Sequence, residues 1–171
     1  MKMEKEIVNR VANSGLITID LSDYATKENI TLFDIKEFLF KGVVLKEKEF
    51  RESLMRCDFS EYEKKIVAIF CSSDVIVPMW AFMLVSSYLN PICSQLYFGE
   101  KEKVFQDILF KNITAINSED FKDKKVIVKG CGSIPLSEGL YVAITQKLQN
   151  SVSSLMFGEA CSAVPVYKKK K

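Results

Sequence analysis

Two stretches of this chain follow the same outline, and that repetition restricts the fold more than any other feature. Asp58-Phe59 leads to Lys64-Lys65-Ile66-Val67 and then Cys71; Asp120-Phe121 leads to Lys124-Lys125-Val126-Ile127 and then Cys131. Downstream, Phe98-Gly99-Glu100 answers Phe157-Gly158-Glu159, and Phe82, Val85, Leu89, Ser94 and Leu96 stand opposite Tyr141, Ile144, Leu148, Ser153 and Leu155. The alignment needs a one-residue gap between the cysteine and the Phe-Gly-Glu. Each copy reads as strand, cysteine turn, helix, strand. Lys65 to Phe70 and Lys125 to Val128 are short β-branched runs, whereas Pro78 to Leu89 and Ser137 to Leu148 carry helical spacing, with Pro78 and Ser137 suited to helix starts. Ser94 to Phe98 and Val152 to Phe157 return as strands. Two such βαβ units predict an α/β domain of three-layer type with a mostly parallel sheet and right-handed crossovers.

At 171 residues and 48% hydrophobic composition the chain can bury one sizeable core. A single domain over residues 1–171 is expected, with residues 58–100 and 120–159 as internal repeat units. Residues 1–57 serve as an N-terminal cover or dimerisation arm. Within them Leu16 to Asp20 reads as a strand, followed by a polar loop through Asn29. Leu32 to Phe40 and Lys46 to Arg56 read as helices separated by Gly42. Between the repeats, Lys101 to Phe110 reads as an amphipathic helix and Asn117 to Asp120 as a turn. No segment has the Pro, Gly or Ser content of a linker.

The sequence contains no histidine, which excludes imidazole-based triads, histidine-ligated zinc hydrolases and ordinary histidine acid/base chemistry. Basic residues exceed acidic ones by two, and four of the lysines are Lys168 to Lys171. The body is therefore slightly acidic, and nucleic acid is not the expected partner. The lysine tail reads as a frayed, solvated end, with an anionic partner as the alternative. The longest apolar run, Val75 to Val85, is too short to span a bilayer, and the N-terminus lacks the apolar core of a secretory signal. A cytoplasmic setting with reduced thiols is expected.

Three of the five cysteines open similar phrases: Cys71-Ser-Ser-Asp-Val-Ile-Val-Pro78, Cys131-Gly-Ser-Ile-Pro135 and Cys161-Ser-Ala-Val-Pro165. The first two follow strand-like runs, so their thiols fall where strands end and where ligands bind in open α/β sheets. Three converging thiolates can hold zinc or an iron–sulphur cluster and leave a fourth position open. Cys71, Cys131 and Cys161 are the predicted metal ligands, with Asp74 as the nearest fourth ligand and Glu100 and Glu159 behind it. An accessory role in metal or cluster handling follows, with other metal- or cluster-handling proteins as partners. Two alternatives stand beside it. One is a reactive-thiol enzyme, its thiolate favoured by a helix N-terminus and Lys129. The other is a non-catalytic homodimeric interaction protein using Trp80, Phe82, Met83 and Tyr88, with the cysteines as core. Cys57 and Cys93 fit the core role. Gly130-Cys131-Gly132-Ser133 lacks the spacing of a phosphate loop, so no nucleotide is expected. Asp20, Asp23 and Asp34 read as caps and turn partners.

Several blocks also carry a family resemblance. Ile7 to Leu16, Leu32-Phe33-Asp34-Ile35-Lys36, Leu45 to Arg51, Cys71-Ser72-Ser73-Asp74, Val77 to Ala81, Val128 to Cys131 and Cys161 to Lys168 together resemble the bacterial domain of unknown function 2480 family. The likeness covers nearly the whole chain. It implies a setting near iron–sulphur assembly, and a histidine where Cys57 stands in this sequence.

Overall fold

The computed structural model describes residues 15–130, 132 and 134–170; Cys131 lies outside them. In chain order the elements are β1 (Leu16–Asp20), β2 (Ile30–Asp34), α1 (Glu47–Arg56), β3 (Ile66–Phe70), α2 (Met79–Leu89), β4 (Gln95–Phe98), α3 (Lys101–Thr114), β5 (Lys125–Lys129), α4 (Glu138–Leu148), β6 (Ser154–Phe157) and β7 (Val164–Lys168). The class is α/β with mostly parallel strands. The chain divides into two compact units, and one interrupts the other. The inserted unit is Thr26–Asp107; the flanking unit runs up to Ala25 and resumes at Ile108, within α3.

The inserted unit is built on a parallel sheet of order β2-β3-β4, with Ile30 opposite Ile66 and Ile66 opposite Gln95. Its central strand is an unbroken apolar run, Ile66 to Ile69 all buried, as a parallel strand covered on both faces requires. Alternate residues Val67 and Ile69 join Phe33 of β2, Phe50 and Leu54 of α1, and Ala81, Val85 and Leu89 of α2 in one core. The flanking unit has the order β1-β5-β6-β7, parallel except for β7. β7 runs antiparallel to β6 through a register shift at Leu155/Met156. It lies at the end of the sheet, where Pro165 is tolerated.

The two units repeat one geometry. Lys64 and Asp123 both take left-handed backbone, φ 57° and 56°. Their amides donate to the carbonyls of Ile92 and Ser151, each at 2.8 Å. Further along, Gly99 N donates to Ile69 O and Gly158 N to Val128 O, each at 3.0 Å. Phe82 of α2 meets Phe98 edge-on at 5.3 Å, and Tyr141 of α4 meets Phe157 at 5.6 Å. At the ends of β2 and β1, Asp34 and Asp20 each cap a 3-10 turn, accepting the amides of Lys36 and Ser22 at 3.0 Å. The same spacing carries Cys71 to Gly130 and not to Cys131.

Several sequence expectations change. The two βαβ stretches fall in separate sheets, so β3 and β5 are not neighbouring strands. The N-terminal third, expected as a cover or arm, supplies β1, β2 and α1. Leu32 to Phe40, expected as a helix, is the end of β2 followed by the 3-10 turn Ile35–Phe38. There the β-branched run Ile30-Thr31 sets the strand and the Asp34 side chain stops it. The lysine tail is not frayed from its start: Lys168 belongs to β7, and Lys169 N donates to Ser153 O at 3.0 Å.

Candidate functional site

In open parallel sheets the carboxyl ends of the strands are the usual place for a site, and both units have a groove there. In the inserted unit the Asp34 carboxylate ties the edge together, because its Oδ1 accepts both Lys36 N and Ser72 N at 3.0 Å. Burial opposes its ionisation. The Ser72 and Lys36 hydrogen bonds outweigh that and hold its carboxyl below the usual carboxylate range. Ser73 Oγ donates to Gly42 O at 3.0 Å, fixing the loop after β3 against the loop after β2. Between that loop, α2 and β4 lies a groove of about 760 Å³, lined by Ile69, Cys71, Val75, Met79, Phe82 and Phe98 among others. Its lining is chiefly apolar, with a few small polar groups.

The flanking unit has the equivalent groove at about 540 Å³, lined by Val128, Tyr141, Ile144, Phe157 and, from β7, Val166. Its strand ends carry more charge. Lys129 Nζ stands 3.6 Å from Asp20 Oδ2 and 3.5 Å from Glu159 Oε1. Ser22 Oγ donates to Asp20 Oδ1 at 2.6 Å. For Asp20, burial raises the pKa, but the Ser22 bonds and the Lys129 charge prevail, so the carboxyl sits below its ordinary value. The position matching Lys129 in the inserted unit is Phe70, so this charge cluster belongs to one unit alone.

The predicted metal ligands fare unequally. Cys71 is half-buried in the inserted unit and its Sγ points to Ser73 O at 3.6 Å. Cys161 is exposed in the flanking unit, within the turn closed by Ser162 N donating to Glu159 O. Asp74 is exposed, and Cys131 lies outside the described residues. Among the described residues no three His, Cys, Asp or Glu side chains gather into a group that could hold a metal ion. Cys57 and Cys93 are half-buried, and burial pushes both thiols above the ordinary range, with Glu61, Asp58 and Glu37 adding to the effect at Cys57.

Of the aromatic residues expected at a dimer contact, Trp80 and Tyr88 serve the core. Trp80 packs edge-on to Phe50 at 5.9 Å, and Tyr88 stacks on Phe59 at 5.4 Å. Met83 is exposed, and sequence reasoning missed its companions Ile76, Met79 and Phe98. α2 carries no charged residue and its two serines, Ser86 and Ser87, are adjacent, so periodicity could not say which side faces out. Its one legible signal was the complete lack of charge from Met79 to Leu89.

These features define an α/β protein of two mostly parallel-sheet units, each with an apolar groove beside the carboxyl ends of its strands. The chain belongs to the family described as "Protein of unknown function (DUF2480)", whose model matches residues 5–169. No curated protein and no solved structure matches it. No helix among the described residues is long and apolar enough to cross a membrane.

Proposed function

We propose that the protein is a non-catalytic interaction protein that self-associates through the apolar face built on α2. The observation that supports this is the exposure of Ile76 (96%), Met79 (77%) and Phe98 (60%), which line the larger groove, and of Met83 (72%), one turn beyond Met79 on α2. The outward positions of the first two turns of α2, Met79 and Met83, are both large and apolar, and exposed apolar surface of this kind marks an interaction site. α4, the matching helix, has the charged Glu138 where α2 has Met79, and an apolar Val142 where α2 has Met83. An uncharged patch meets its own image without like-charge repulsion, as a two-fold symmetric contact requires. Methionine adapts its shape to such a contact.

Sedimentation velocity over a wide concentration range tests the proposal. A concentration-dependent dimer is expected, converted to monomer by Met79→Lys or Met83→Lys with little change in thermal midpoint, since neither side chain is in the core. A monomer at every concentration, or a dimer indifferent to both substitutions, overturns it.

A further inference from the structure

The lysines Lys168 to Lys170 meet Lys125, at the amino end of β5, across the amino end of β6. Lys125 opens β5, Ser154 opens β6 and Lys168 closes β7; Lys125 is opposite Ser154, and Ser154 is opposite Lys168. Residues directly opposite one another project from the same face of a sheet, and adjacent strands lie about 4.8 Å apart. The two lysines therefore flank the Ser154 side chain on either side. Together with Ser153, Lys169 and Lys170 they line a concavity of about 370 Å³.

The charge there is unbalanced. Lys169 is neutralised by Asp123 at 3.0 Å, but Lys125, Lys168 and Lys170 have no carboxylate partner among the described residues. We propose that this concavity binds the phosphate group of a small ligand. Lysine ammonium groups are strongly hydrated point charges that serve phosphate well, and a hydroxyl between them supplies a neutral donor. The volume is at the lower end for small-molecule sites. No aromatic side chain lines it, so it lacks the stacking platform on which single-stranded nucleic acid is held. The site is in the flanking unit and is independent of the α2 contact.

The test is calorimetric titration of the full chain with inorganic phosphate and pyrophosphate at low ionic strength. Vesicles of phosphatidic acid, with phosphatidylcholine as control, are pelleted in parallel. Saturable binding is expected, weakened about tenfold or more by Lys125→Gln and by Lys168→Gln as each charge-assisted contact is lost. Sedimentation with phosphatidic acid alone would identify a lipid headgroup as the source; soluble phosphate binding without sedimentation would identify a free phosphorylated ligand. Absence of saturable binding, or affinity unchanged in both variants while circular dichroism shows them folded, overturns the proposal.

Discussion

The Tyr141 hydroxyl occupies the space that a side chain at Gly130 would need. A Cβ built on Gly130 would collide with that hydroxyl and with a methyl of Leu136. In the inserted unit the matching positions are Cys71 and Phe82, so the volume given to a thiol at one strand end is given to a phenol in the other. The exchange explains why a cysteine lines only one groove at this position. Gly130→Ala is expected to destabilise the protein by about 1 kcal/mol, the low end for overpacking, because both atoms are the ends of half-buried side chains that can shift. Adding Tyr141→Phe removes one of the two obstacles and should return part of the loss. Urea unfolding of the single and double variants measures this coupling.

Acid should weaken the protein through Asp34 and Asp20, whose folded carboxyls both sit below the ordinary value. A depressed carboxylate contributes stability that is fully present above its unfolded pKa of about 3.9 and is lost as pH falls through the lower folded value. Thermal midpoints between pH 7 and pH 2 should therefore fall most steeply below about pH 4. Asp34→Asn should lower the midpoint at neutral pH and flatten that slope. A variant whose profile parallels the wild type would show that the paired amides of Lys36 and Ser72 do not favour the charged form.

Lys129 lies between carboxylates of unequal exposure, Asp20 at 16% and Glu159 at 52%. The more buried partner is less screened by solvent. Lys129→Met should cost about 1–2 kcal/mol and raise the Asp20 pKa, since it removes a cation from a half-buried carboxylate. Glu159→Gln should cost well under about 1 kcal/mol, as for an exposed pair. Chemical denaturation, with Asp20 titrated by carboxyl NMR, separates the two effects. Equal losses from both substitutions would contradict this ranking.

The strands and helices of the repeats were legible because β-branched runs and helical spacing are local signals. The register was misread at its most conspicuous residues. Aligning Cys71 with Cys131 forces a gap, whereas the backbone matches Lys64 with Asp123, residues alike only in their left-handed conformation. Long-range pairing was not legible either. Nothing in Leu16 to Asp20 announces β5 as its neighbour, and the insertion of a whole unit between them separates the two in sequence. β7 was hidden by Pro165 and by lysines that read as a tail. The apolar patch was half visible: Met83 was identified, but choosing between the sides of α2 requires knowing that Ala81, Val85 and Leu89 pack on β3.

The thiols should report on the α2 contact. Among the described cysteines Cys161 is exposed and is expected to alkylate first, whereas Cys93 and Cys57, with raised pKa values from burial, carry little thiolate at neutral pH and should react slowly. Cys71 differs from all three because it lines the groove rimmed by Ile76, Met79 and Phe98. If a second copy covers that rim, the Cys71 alkylation rate must fall as protein concentration rises through the dimerisation range, while the Cys161 rate stays constant. Met79→Lys should abolish the concentration dependence without slowing Cys71 in the monomer. Mass spectrometry of timed iodoacetamide labelling resolves each cysteine. A Cys71 rate that stays constant where sedimentation shows dimer would mean that the copies meet away from the groove.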